Sequence, residues 1–99
     1  VLIIDDMIDT AGTTVNAANA AIAEGAKSVT AVATHGVLSG PAIERLSGSS
    51  IKKVIITDTI SISEDKKIDK LKIVSVSKIF GEAVIRVHNG ESVSALFEF

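Results

Sequence analysis

An α/β fold built on a parallel sheet is what this 99-residue sequence predicts, and three observations predict it. Residues Val1 to Ile4 are apolar without a break, the pattern of a parallel strand covered on both faces. Strand-like and helix-like segments then alternate along the chain, as they do in βαβ units. The segments after the apolar runs are rich in Asp, Thr, Ser and Gly, which suits loops at the carboxyl edge of the sheet, where open α/β folds bind ligands.

In order, the first strand covers residues 1–4, with Val1 buried between neighbours, and the acids and turn residues after it stand at its carboxyl end. Residues 14–25 are alanine-rich with Val15, Ala18, Ile22 and either Ala21 or Ala26 on one side, which predicts a helix closed by Gly25. Residues 28–34 alternate and are β-branched, a second strand, and residues 35–40 form a second loop that should lie near the first. Ser39, Gly40 and Pro41 start a short helix with proline in its first turn. A third strand covers 53–57, a polar connection 58–69, and a fourth strand 72–76. Ser77 caps a last helix with Ile79, Phe80, Ala83, Val84 and Val87 on its apolar side and Asn89 and Gly90 as its stop. The charged run 64–72 reads as a solvated surface.

Composition narrows the function classes. The length allows one domain, and 46% hydrophobic residues are ample for a core without disulfides. With no Cys, thiol catalysis and a Cys-based zinc site are excluded. A net charge of −2 and the lack of a basic run argue against a nucleic-acid surface. No stretch has the length and apolarity of a membrane span and nothing resembles a signal peptide, so the cytoplasm is the expected location and no membrane partner is expected. The chain opens without Met, at Val1 and inside an apolar strand, and we expect it to be part of a longer protein.

The chemistry concentrates between Asp5 and Thr14. Asp9, Thr10, Gly12, Thr13 and Thr14 are turn or capping types before a predicted helix, more than capping alone requires, and together they suit an anion cradle. Asp5 and Asp6 would repel a bare phosphate, so they make sense facing sugar hydroxyls, a divalent cation, or both. A phosphorylated sugar satisfies all of these groups. The Gly-Lys-Ser or Gly-Lys-Thr ending of a Walker A loop is absent. His35 and Gly36 stand in a loop that borders this site by topology, although a histidine there can equally bond within its own loop. His88 is structural, late in a helix whose carboxyl end favours a cation.

The run 1–14 resembles the phosphoribosyl-pyrophosphate signature of the type I phosphoribosyltransferase superfamily, and within it the chain is most similar to the ribose-phosphate diphosphokinases. Two further segments carry that similarity: Ala-Thr-His-Gly-Val-Leu-Ser-Gly-Pro-Ala-Ile-Glu-Arg-Leu at 33–46 and Asn-Gly-Glu-Ser-Val-Ser-Ala-Leu-Phe at 89–97. The resemblance implies a parallel-sheet, three-layer phosphoribosyltransferase-like fold, incomplete here, with residues 1–99 as the carboxyl-terminal part of one domain in a two-domain chain. It implies that Asp9, Thr10, Ala11, Gly12 and Thr13 hold the 5-phosphate of ribose 5-phosphate and that Asp5 and Asp6 take the 2- and 3-hydroxyls, with Mg²⁺ nearby. It further implies ATP as the second substrate, bound mostly by preceding chain, and a homo-oligomer. Ser92, Ser94 and Phe97 would then lie by a subunit interface in an allosteric phosphate or nucleotide site.

By the same resemblance the catalytic cationic loop belongs to chain upstream of Val1, and no Arg is expected near the signature, so residues 1–99 alone are expected to be inactive. The sequence departs from the family pattern at Asp58, Ser61, Ser77 and Lys78, where Asn, Pro, Ala and Pro are usual. Three alternatives remain on residues alone: a phosphoribosyltransferase that consumes phosphoribosyl pyrophosphate, a non-catalytic regulatory subunit, and, more distantly, a phosphoreceiver domain.

Overall fold

The computed structural model describes residues 1–97, with Phe97 described in its backbone only. Four strands, β1 (Leu2–Ile8), β2 (Val29–Gly36), β3 (Ile51–Thr57) and β4 (Leu71–Val74), form one sheet in the order β1-β2-β3-β4. Every pairing is parallel. The helices α1 (Gly12–Ala23) and α2 (Ala42–Ser47) make the first two crossovers, and α3 (Ser77–Asn89) follows β4. Short 3-10 turns occupy Glu64–Lys66 and Ser94–Phe97. No helix among the described residues is long and apolar enough to cross a membrane.

Each β-α-β step advances the sheet by one strand in the same direction, and such crossovers share one hand, so α1 and α2 cover one face. Alternate residues of the strands point to that face, and Val29, Ala31, Ala33, Val54 and Ile56 pack there against Ala18, Ala42 and Leu46. The small residues of β2 and α1 let helix and sheet approach closely. The opposite face carries Ile4, Val32 and Ile55 in one register row, with Ile4 73% exposed. Of the three layers the fold type implies, two lie within the described residues.

Several boundaries differ from expectation. Val1 is neither buried nor within the first strand: its side chain is 63% exposed, and β1 starts one residue later. Its backbone is nevertheless tied to the chain entering β2, since its amino group donates to the Ser28 carbonyl and its carbonyl accepts Thr30 N–H, both at 2.9 Å. An apolar side chain at an edge can remain wet while the main chain is paired, which is why Val1 does not gain the burial that its run of apolar neighbours suggests. β1 as a whole is not doubly covered: it is an edge strand and runs four residues beyond Ile4, so Asp5 and Asp6 lie within it and not in the turn beyond. An edge strand open on one face tolerates charge that a central strand would not.

α1 begins at Gly12, and Gly25, at φ +102°, does close it: Ala26 N–H bonds the Ala21 carbonyl, as after many helices ending in a left-handed residue. Ser77 does not cap α3. Its hydroxyl pairs with that of Ser75 at 2.9 Å, and Val76 occupies the cap position. At the other end Gly90, at φ +72°, stops the helix as expected, with Glu91 N–H bonding the Arg86 carbonyl. The apolar side of α3 is present but unburied, with Val84 and Val87 68% and 71% exposed.

Candidate functional site

The turn from β1 into α1 is held by the chain that leaves β2. The Ile8 carbonyl accepts N–H bonds from Val37 and Leu38 at 3.0 and 3.1 Å, the Asp9 carbonyl accepts Ser39 N–H at 2.9 Å, and the Asp9 carboxylate accepts the Ser39 hydroxyl. The loops at 9–11 and 37–41, distant in sequence, are thus stitched side by side at the carboxyl edge.

Two non-glycine residues there adopt left-handed backbone, Ala11 at φ 68° and Leu38 at φ 53°. Such a conformation costs roughly 1–2 kcal/mol for an L residue and persists where surrounding contacts enforce it. Both side chains are buried, which supplies those contacts. At Ala11 the left-handed turn swings the chain into α1. Ala11 is also the N-cap and has no capping side chain, so the N–H groups that open α1 are not used up by a capping residue at that position. Residues 5–14 line a cleft of about 230 Å³ that joins these groups to the acid pair. Val1, at the opposite end of β1, takes no part in it.

Asp5 and Asp6 form a bonded unit. Asp6 N–H donates to Asp5 Oδ1 at 2.7 Å. Hydrogen bonding with the Asp5 side chain, then the Met7 N–H, holds the Asp6 carboxyl below the ordinary aspartate range; partial loss of water opposes this, and its own N–H and the charge on His35 add to it. An acid so placed stays ionised at neutral pH and can accept bonds from a vicinal diol.

His35 and Gly36 do not stand in the loop expected for them but are the last two residues of β2, because pairing with β1 continues through Met7 and Ile8. His35 faces Met7 in that register, and its Nδ1 shares a 2.7 Å hydrogen bond with Thr59 Oγ1. Thr57 Oγ1 and Thr59 Oγ1 both donate to the Thr34 carbonyl, at 2.6 and 3.3 Å. His35 therefore bonds the β3–β4 connection while lying close enough to Asp6 to act on its charge. It also lines a separate cavity of about 500 Å³ with Asp58, Ser77 and Phe80. Asp58 accepts Val76 N–H at 2.9 Å, and that bond, with one from Ser75, holds its carboxyl low, so the acid fastens the start of α3. Gly36 needs its missing side chain for packing: a Cβ there would sit 2.4 Å from Ile56 Cδ1.

One residue corrects the expectation that no arginine approaches the signature. Arg45, on α2, places Nη1 3.2 Å from the Thr10 carbonyl, and the same atom would lie 3.0 Å from a Cβ at Gly12. Sequence spacing hides this approach, since 35 residues separate Thr10 from Arg45. The available signal is topological: a short helix starting beside the first loop must present its second turn near that loop.

The tail residues are not brought to the cleft. Ser92 and Ser94 are exposed and share a hydroxyl bond of 2.7 Å, while Arg86 Nη1 donates to the Ser92 carbonyl at 3.0 Å. The side chain of Phe97 lies outside the described residues. Among the described residues no group of three or more His, Cys, Asp or Glu could enclose a metal ion. Asp5 and Asp6 still fit Mg²⁺, which takes one or two carboxylates and completes its shell with water and substrate phosphates.

Comparison with known proteins follows the same residues. A family model described as phosphoribosyl synthetase-associated domain matches residues 1–98. The chain is 60% identical over 96 residues to the ribose-phosphate pyrophosphokinase of Caldanaerobacter subterraneus subsp. tengcongensis and 56% identical over 97 residues to that of Clostridium acetobutylicum. These matches take in 97% and 98% of this chain but 30% of each relative, so the chain spans about three-tenths of the proteins it resembles. A solved phosphoribosylpyrophosphate synthetase from Mycobacterium smegmatis superposes with a TM-score of 0.88 at 40% identity, over 90% of this chain and 30% of the other. The strand order, the cleft at 5–14 and these likenesses agree, and the chain belongs to the phosphoribosyl synthetase-associated domain family.

Proposed function

We propose that the protein carrying this chain is a ribose-phosphate pyrophosphokinase that transfers the diphosphoryl group of ATP to the 1-hydroxyl of ribose 5-phosphate, and that residues 1–99 bind the acceptor. In that reaction the 1-hydroxyl oxygen bonds to the β-phosphorus, the bond from that phosphorus to the α,β-bridging oxygen breaks, AMP leaves and the hydroxyl proton is released. The observation that carries the reading is one cleft with two chemistries, a bonded acid pair on β1 and the start of α1 beyond the turn at Ala11. Helix starts favour phosphate, and paired carboxylates favour a diol.

In this reading Asp9, Thr10, Ala11, Gly12 and Thr13 surround the 5-phosphate, and Asp5 and Asp6 hold the 2- and 3-hydroxyls and keep the ring from turning. Their task is alignment, which counts heavily in phosphoryl transfer because little covalent work falls to the protein. Mg²⁺, when bound, would neutralise charge developing on the transferred phosphates, and Asp5 and Asp6 are the residues able to anchor it. ATP and the catalytic cations are held by chain upstream of Val1 in a protein that acts as a homo-oligomer in the cytoplasm; Ser92, Ser94 and Phe97 serve regulation away from the cleft. Incubating the full chain with ATP and ribose 5-phosphate, without any base, tests this. AMP should form in step with phosphoribosyl pyrophosphate; pyrophosphate release that depends on an added base would instead establish a phosphoribosyltransferase.

A further inference from the structure

We propose that Arg45 is a positioning residue that sets the phosphate affinity of the loop at 9–13, and that Gly12 is glycine to make room for its guanidinium. The inference rests on the sugar-phosphate reading of the cleft and assigns a role to a residue outside the signature. Three acids, Asp5, Asp6 and Asp9, surround the cleft, and no Lys or Arg occurs in residues 1–26. A dianionic phosphate would meet net repulsion there unless the fold brought a cation.

Arg45 is that cation. Its Nη1 donates to the Thr10 carbonyl at 3.2 Å, which engages an acceptor that would otherwise face an anion poorly and fixes the peptide before the turn at Ala11. The residue remains exposed, so further guanidinium donors are free for solvent or ligand. Its support is rigid, since Ala42 and Leu46 on the same helix are fully buried and Arg45 N–H bonds the Pro41 carbonyl at 2.9 Å. Gly12 has no left-handed φ that would demand glycine. The contact a side chain there would make is with Arg45, at 3.0 Å from Nη1. A Cβ there would press on the end of the Arg45 side chain, so the glycine leaves room for the guanidinium beside Thr10.

The test is ribose 5-phosphate binding by the full chain, measured by calorimetry for the wild type, Arg45→Gln, Arg45→Lys, Gly12→Ala and the double variant Arg45→Gln with Gly12→Ala. Arg45→Gln should weaken binding about tenfold, the worth of one charge-assisted bond. Arg45→Lys should fall between, because it keeps the charge and loses the planar fork. Gly12→Ala should weaken binding several-fold alone and add little once Arg45 is Gln, the non-additivity expected of two residues acting through one contact. Thermal midpoints and the KM for ATP should not move. Wild-type affinity in Arg45→Gln, or an undiminished loss from Gly12→Ala in its background, would overturn this inference alone. If the wild-type full chain does not bind ribose 5-phosphate, the sugar-phosphate reading falls and takes the inference with it.

Discussion

Replacing Gly36 by Ala tests how tightly the fold packs the carboxyl end of β2 beside the cleft. The added Cβ would meet Ile56 Cδ1 at 2.4 Å, Cγ2 at 3.2 Å and Cβ at 3.3 Å. Ile56 is fully buried between strands and helices, so its terminal methyl has nowhere open to go. Overpacking of this kind costs about 1–3 kcal/mol. Backbone conformation adds nothing, because Gly36 does not have a left-handed φ. The worst contact belongs to one atom, and Ile56→Val removes that atom. Alone, Ile56→Val should cost about 0.5–1.5 kcal/mol for the lost methyl. Combined with Gly36→Ala it should restore much of the loss, leaving a double variant more stable than the sum of the single effects by about 1 kcal/mol or more. Urea denaturation of the full chain, followed in parallel for wild type, both single variants and the double variant, measures the cycle. Additive costs, or a neutral Gly36→Ala, would refute the packing argument.

Three other outcomes follow from the same geometry. Asp6→Asn should raise the KM for ribose 5-phosphate about tenfold while leaving the thermal midpoint nearly unchanged, since it weakens charge-assisted bonds at an exposed site and spares the core; an unchanged KM and rate would contradict the role given to the acid pair. The depressed Asp6 carboxyl stabilises the folded chain at pH above the ordinary aspartate value of about 3.9, and that contribution is lost as pH falls through its lower folded value. A carboxyl-carbon NMR titration should therefore place the Asp6 midpoint below that of a free peptide aspartate; a midpoint at the peptide value would be evidence against the pair. Lys70 Nζ donates to the carbonyls of Leu46, Ser47 and Ser49 at 2.8, 3.4 and 3.3 Å, so Lys70→Met should destabilise by about 1–2 kcal/mol in a denaturant titration. No loss would mean that water replaces the ammonium fully.

Much of the fold is legible because its signals are local and repeated. Gly25 and Gly90 announce helix ends by their tolerance of positive φ, and the alternation in 28–34 matches a strand with one face buried. The extent of β1 is hidden at both ends. Val1 has the apolarity of a buried residue but stands at an open edge, and two acids look like a strand terminus although both remain exposed within the edge strand β1. Ser77 misleads for a related reason: a hydroxyl before an apolar helix is the usual cap, but Ser75 stands close enough to engage it. In the site, the signature residues are contiguous and so visible, and the structure gathers them along one cleft. Arg45 and the Gly36–Ile56 contact are not legible, because each depends on which residues of separate elements come face to face.

The short helix α2 has a consequence for the order in which the molecule assembles. Its start is tied to residue 9 through Ser39, and its end is tied to residue 70 through Lys70. Six residues cannot sustain an isolated helix in water, so α2 depends on partners far away along the chain. Contacts of such sequence separation form late, after the loops between them have closed. The signature can therefore take shape early as a turn between β1 and α1, while Arg45 reaches Thr10 only when α2 has docked. Kinetically, the proposed phosphate site should be among the last features to form during refolding and among the first to be lost when α2 detaches.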